Sequence, residues 1–301
     1  MNQEELKGYH KDQAARARKI YIQSRLPSTD VADWKVALLD ARRSIKEALR
    51  ASKYLEEIKA AALADLEHTR VFRYALAPPL SKDQFALCYP ISKDIRKRQE
   101  RALATANAFA QSIEDRRDKA LTPWLSAGRK PTSQELKKFF WAIAPLLAQQ
   151  QFATAQRNRL ARLQESQIVA ILNECGWMKL PSSLLDTKAA LPKKHYMHKT
   201  RFATSTTTPQ EVDVALGLPG TVVLAMECKV SNDETNSVKR VNDVLKKAHA
   251  WKDHWGSFVK TAAVLQGVIG AKDVMRLLDG GVEVFWSHDL PRFERWLSQN
   301  S

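Results

Sequence analysis

The chain changes its hydrophobic grammar part-way along. From the N-terminus to about residue 176, apolar residues recur at spacings of three and four among Ala, Leu, Arg, Lys, Glu and Gln, the pattern of amphipathic helices built from strong helix formers. It predicts a helix from about Glu4 to Arg25, stopped at Leu26-Pro27-Ser28. A second runs from Asp30 through Trp34, Leu38, Ile45, Leu49, Leu55 and Ile58 towards Tyr74, ended by Pro78-Pro79. Ser92 reads as the cap of a helix from about Lys93 to Leu121, stopped by Pro123. Thr132 and Glu135 form a capping box before Leu136, Phe139, Phe140 and Ile143, and a further helix spans about Leu146 to Glu174.

Beyond Gly176 the period becomes strand-like. Glu211 to Leu216 and Thr221 to Val230 alternate or run apolar with β-branched residues, and the turn signal Gly217-Leu218-Pro219-Gly220 between them predicts a hairpin. A helix over Asn232 to Trp255, an apolar run from Thr261 to Ile269, a short helix from Ala271 to Leu278, a strand from Val282 to Trp286 and a helix from Leu290 to Leu297 follow. One more strand is expected near Phe202 to Thr206. A hairpin followed by crossover helices implies a mixed sheet covered on both faces. The expected fold is therefore α+β, with a helical domain over 1–150 and a mixed-sheet domain over 151–301.

Charge narrows the class. Forty-eight Lys and Arg against 33 Asp and Glu give +15, a surplus that points to a polyanion or an anionic membrane surface. No apolar run approaches the roughly 18 residues of a spanning helix. No strongly amphipathic terminal helix with an aromatic face is visible either, so a polyanionic partner is favoured over a membrane surface. The first twenty residues lack an apolar signal region, and a cytoplasmic location is expected. Cys88, Cys175 and Cys228 are odd in number and far apart, which predicts reduced thiols and supports neither a disulfide framework nor a zinc site.

The hairpin carries the candidate chemistry. A side-chain period of two places Glu211, Asp213 and Ala215 on one face of the first strand, with Val212, Val214 and Leu216 behind. In the second strand Val223, Ala225, Glu227 and Lys229 share a face. Paired as a hairpin, Asp213, Glu227 and Lys229 meet around one point. Buried charges in an apolar sheet are costly unless a cation or phosphate compensates them. The chemistry that suits the group is metal-assisted phosphodiester hydrolysis, with carboxylate oxygens holding Mg²⁺ and Lys229 orienting the attacking water, lowering its pKa or stabilising charge on the phosphate. Glu165, on the helix entering this half, can approach the same metal directly or through water. The backbone carbonyl of Cys228 is a further candidate ligand, and Glu211 is either another or a rim charge. A cross-strand ion pair at a sheet edge is the purely structural alternative.

Thirteen residues separate Asp213 from Glu227-x-Lys229, and a helix bearing Glu165 precedes them. This arrangement resembles the PD-(D/E)XK nuclease core, with Val212 standing where the motif has proline. Glu211-Val-Asp213, the stretch from Glu227 to Asn242 and Ala77-Pro-Pro-Leu-Ser-Lys-Asp-Gln84 resemble, more narrowly, the XamI-type restriction endonucleases from about residue 70 onward. The resemblance implies a Mg²⁺-dependent type II enzyme that cuts a short, usually palindromic duplex site, acts as a homodimer and is accompanied by a cognate DNA methyltransferase.

Residues past the hairpin suit DNA contact. Asn236, Ser237, Lys239 and Arg240 open a helix whose free N–H groups favour a phosphate, the alternative being an ordinary N-cap with a solvated basic face. Lys193, Lys194 and Lys199 lie in a basic segment, with His195, His198 and Arg201, expected to be a loop that clamps phosphate. Arg96-Lys97-Arg98 reads as a solvated helix face. The helical half is left to clamp DNA, read it or build a dimer. Two other functions compete: structure-specific or modification-dependent cleavage, and non-catalytic DNA binding by a basic protein. Discrete plasmid fragments separate the first from sequence-specific cutting, and Mg²⁺-dependent cleavage separates the second.

Overall fold

The computed structural model describes residues 2–25, 27–91, 99–187, 190–206 and 208–301, without the side chains of 27–30 and 99. The start of the helix expected from Ser92 and Lys93, and the basic run Arg96-Lys97-Arg98, lie outside these residues. The chain divides into two compact units: 27–155, and 156–301 together with 1–26. The first helix is thus grouped with the sheet rather than with the helical unit.

In the helical unit, α2 (Pro27–Ala51) stops well short of Tyr74. Ser52 closes the turn by donating to the Ala48 carbonyl at 2.7 Å and accepting from the Leu55 amide at 3.1 Å, and Lys53, Tyr54 and Leu55 all take positive φ. Leu55 and Ile58 continue the apolar spacing because both reach the core, but they reach it from a turn and from the start of α3 (Ile58–Ala64). Two short helices follow, α4 (Thr69–Phe72) and α5 (Lys82–Cys88), and then α6 (Gln99–Arg116). Helix α6 ends before Leu121 because the chain there pairs with residues 75–77, Ala77 donating to Arg116 and Asp118 to Ala75.

After α7 (Pro123–Ser126), α8 (Ser133–Glu174) runs unbroken through Pro145, where two helices were expected. Proline removes the bond to the carbonyl four residues back. That residue is Trp141, which is exposed. The core of this unit gathers Ile45, Phe72, Phe109, Trp124, Phe139 and Leu147.

The other unit is a mixed seven-stranded sheet among the described residues. Its strands are β1 (Met178–Lys179), β2 (Leu184–Leu185), β3 (His195–Phe202), β4 (Gln210–Gly217), β5 (Val223–Ser231), β6 (Val259–Gly267) and β7 (Val282–Trp286). The order is β1-β3-β4-β5-β6-β7, with β2 also on β3. Strands β3, β4 and β5 are antiparallel, while β6 and β7 add in parallel through crossover helices α9 (Glu234–Trp255) and α10 (Ala271–Asp279). The basic segment expected as a loop is largely strand β3.

One face packs on the end of α8 and on α11 (Leu290–Asn300) through Ile168, Leu172, Val214, Met226, Val264 and Phe293. The other packs on α1 (Gln3–Ser24), α9 and α10 through Ala14, Val244, Ala263, Leu277 and Trp286. This is the α+β arrangement of helical half and covered mixed sheet that the chain's pattern predicts. No helix among the described residues is long and apolar enough to cross a membrane.

Candidate active site

The hairpin forms, but its alternation is broken at the residue that matters. Pairing of β3 with β4 skips the Lys199/Asp213 position, and Lys199 takes φ 54°. Val212 therefore packs with Ala215, Val223 and Ala225 instead of with Val214 and Leu216. The expected shared face of Glu211, Asp213 and Ala215 does not hold. Between β4 and β5 the ladder ends at Val214↔Met226, and the next amide, that of Cys228, donates to Asp213 Oδ2 at 2.8 Å. A side-chain carboxylate thus takes the place of a main-chain acceptor where the two strands part.

Glu227 is wholly buried on the α9 side of β5. Its Oε2 accepts from Lys229 at 2.6 Å and from Lys247, on α9, at 2.9 Å, while its buried Oε1 has no hydrogen-bond partner among the described residues. Lys229 also meets Asp243 at 2.9 Å, and Lys247 also donates to the Glu211 carbonyl at 2.9 Å. Burial would lower the Lys229 pKa, but the carboxylates of Glu227 and Asp243 outweigh it and hold the ammonium protonated well above its ordinary range. Burial raises the Glu227 carboxyl above its usual value, and the Asp213 charge adds to that against the pull of Lys229 and Lys247. The two directions are compatible because Lys229 faces two carboxylates, and Glu227 is the more deeply buried partner.

A second charged chain lies beside Asp213. Glu165, buried on α8, receives His198 Nε2 at 2.9 Å and Lys199 Nζ at 2.7 Å, and Lys199 stands 3.9 Å from Asp213 Oδ1. Glu227 and Lys229 are thus brought into direct contact, while Asp213 stands across the Cys228 amide and Glu165 connects to it through Lys199. Cys228 points the other way, its buried thiol raised in pKa first by desolvation and then by the nearby carboxylates. The side chain of Glu211 is exposed. Among the described residues no three His, Cys, Asp or Glu side chains form a ready-made metal cluster.

The expected DNA contacts divide. Lys193, Lys194 and Lys239 are exposed and Arg240 is half-buried. Lys199 is exposed but ion-paired to Glu165. Ser237 is fully buried, donating to Asp273 Oδ2 at 2.7 Å and accepting from the Gly270 amide, so it packs α9 against the start of α10 and presents nothing to DNA. Asn236 is exposed, but its amide and side chain both bond Asp233, whose carboxylate caps α9. That cap supplies the negative charge for which an incoming phosphate would compete, so the helix start is an occupied N-cap.

Lys247, Asp243 and His198 complete the charged network. Sequence patterning missed the first two because they lie on a separate element. The one available signal was their i,i+4 spacing beside the buried stripe of Val241, Val244, Ala248 and Trp251. His198 lies on β3 rather than in the phosphate-clamping loop that the sequence predicts.

The sequence profile of the XamI restriction endonucleases matches residues 53–286, well over half of the chain. The chain belongs to the XamI restriction endonuclease family. The type II restriction enzyme XamI of Xanthomonas campestris pv. amaranthicola is 30% identical over 189 residues. That stretch covers 62% of this chain and 66% of the relative, so the match spans just under two thirds of the relative's length. Among solved structures, restriction endonuclease PspGI in complex with substrate DNA is similar over 78% of each chain, at a TM-score of 0.34 and 13% identity. All of the hairpin residues discussed above lie inside the matched family region.

Proposed function

We propose that this XamI-family chain is a type II site-specific deoxyribonuclease that hydrolyses phosphodiester bonds in double-stranded DNA with Mg²⁺ as its cofactor. The observation that carries the reading is Glu227, a carboxylate without exposed surface whose Oε1 has no partner among the described residues, set beside Lys229 where β4 and β5 separate. A buried unsatisfied acceptor costs about 1–3 kcal/mol. A ligand at that point would recover the loss.

The donor chemistry fits a hard divalent cation. Asp213 and Glu227, with the Cys228 carbonyl between them, are oxygen donors of the kind Mg²⁺ prefers. When bound, the cation supplies positive charge to phosphate oxygens and lowers the pKa of water. Lys229, whose ammonium the carboxylates of Glu227 and Asp243 favour, serves as a hydrogen-bond donor that orients the incoming water and stabilises charge building on the phosphate. Asp243 and Lys247 position Lys229 and Glu227. Glu165 either reaches the metal, directly or through water, or holds His198 and Lys199 beside Asp213. Glu211 stays at the rim.

Lys193, Lys194, Lys239 and Arg240, with Lys199 at the edge of the site, are assigned to DNA contact. The helical unit is assigned to recognition, clamping or dimerisation. A palindromic site presents the same bond on both strands, which a twofold homodimer matches with two identical centres. A cytoplasmic enzyme of this kind requires a cognate methyltransferase to protect host DNA.

Digestion of unmodified plasmid with Mg²⁺ and with EDTA tests the reading. Discrete fragments with Mg²⁺ alone, lost in Asp213→Asn, are expected. A smear, or cleavage unaffected by EDTA, refutes it.

A further inference from the structure

The segment Ala77–Gln84, singled out by its sequence but remote from the hairpin, builds a second site within the helical unit. Its chain curls around Arg73, which is 3% exposed. Arg73 Nη1 donates to the Leu80 carbonyl at 2.5 Å, and Nη2 donates to the Tyr74 hydroxyl at 3.0 Å and to Gln150. Each of these partners is neutral, and among the described residues no carboxylate bonds the guanidinium. An arginine does not shed its proton in a protein, so a full positive charge stays buried.

The charge lies against a pocket of about 340 Å³ lined by Arg70, Arg73 and Lys82, by the aromatic rings of Phe85 and Tyr89, and by the Gln150 amide. Among the described residues, Glu67, paired with Arg70, is the acid in the lining. Three cations less one carboxylate leave two positive charges. A phosphomonoester carries about −1.5 to −2 at neutral pH, and the volume lies at the small end of ligand pockets, about 300–1,000 Å³. The aromatic wall offers an attached base an apolar surface.

We propose that this pocket binds the phosphomonoester of a nucleotide, with Arg73 at its floor and Arg70 and Lys82 at its mouth. The phosphoryl group comes either from a free mononucleotide or from the 5′-phosphate of a DNA end, and one set of titrations separates the two sources.

The full-length protein in EDTA is titrated with deoxyguanosine monophosphate and with one short blunt duplex, 5′-phosphorylated or 5′-hydroxyl. Arg70→Ala/Lys82→Ala removes the mouth without touching the buried Arg73. Lys119→Ala/Lys130→Ala removes the same charge elsewhere on the unit's exposed surface, and Asp213→Asn alters the hairpin site.

Binding of the mononucleotide, weakened tenfold or more by the mouth variant alone, supports the pocket with a free nucleotide as its ligand. A tenfold or greater preference for the phosphorylated duplex, lost in the mouth variant alone, supports it with a DNA end as its ligand. The proposal is overturned if wild type shows neither effect, if the mouth variant retains them, if the charge-matched control loses them equally, or if Asp213→Asn abolishes them.

Discussion

Replacing Glu227 with glutamine keeps the shape of the side chain and removes the charge on which two ammonium groups converge. Breaking a buried ion pair from one side costs about 3–5 kcal/mol when the remaining charge is left alone. Here Lys229 keeps the Asp243 carboxylate at 2.9 Å, whereas Lys247, its side chain 16% exposed, loses the carboxylate it bonds and keeps the neutral Glu211 carbonyl. The variant is also relieved of the desolvation and the Asp213 repulsion that raise the Glu227 carboxyl. The balance is a loss of about 1–3 kcal/mol, most of it from Lys247. Urea unfolding at neutral pH without metal should show a lowered midpoint at unchanged slope, and Glu227→Gln/Lys247→Met should recover at least half of the loss. Plasmid cleavage with Mg²⁺ should be abolished in both. A single variant as stable as wild type would refute the dependence of Lys247 on Glu227. Wild-type cutting would show that the metal site has been placed on the wrong residues.

Lys229→Ala should remain folded by circular dichroism yet lose at least about a hundredfold in cleavage rate, because the protonated ammonium is the donor assigned to the phosphate. Duplex binding in EDTA should fall by about a thousandfold or more between low and above-physiological salt if about six phosphates are engaged, and a flat titration would reject a phosphate-dominated interface. His10, buried on α1 and accepting from the Trp286 indole at 3.1 Å, has its pKa lowered to about 4, first by burial and then by Arg292. In the unfolded chain this histidine takes up its proton near pH 6.5, so its contribution of about 2–3 kcal/mol is present above that pH and is lost as pH falls towards 4. His10→Gln should flatten that part of the stability profile.

The hairpin was legible because both strands are apolar, β-branched and joined by a turn signal, and β6 and β7 were legible for similar reasons. Strand β3 was not. His195-Tyr-Met-His-Lys-Thr-Arg-Phe202 mixes basic residues into a strand whose sides swap at Lys199, so neither alternation nor an apolar run marks it. The same local break misplaced Asp213 by face though not by position. Glu227 and Lys229 could be paired from sequence because a strand of known period carries both. Lys247 and Asp243 join them through a crossover helix, and the distance along the chain conceals that contact. Ser237 was misread because a hydroxyl near a helix start satisfies a buried partner as readily as a phosphate.

Asp213 also bears on how an uncut complex can be trapped. Its Oδ2 closes the last rung between β4 and β5 by accepting from the Cys228 amide, so it is at once a piece of backbone scaffolding and a charged group. Asparagine retains an oxygen able to fill that rung, whereas alanine removes it and glutamate adds a methylene that shifts the acceptor. Asp213→Asn separates the two duties, and it is the substitution of choice for crystallising the protein on intact DNA with the strand junction undisturbed.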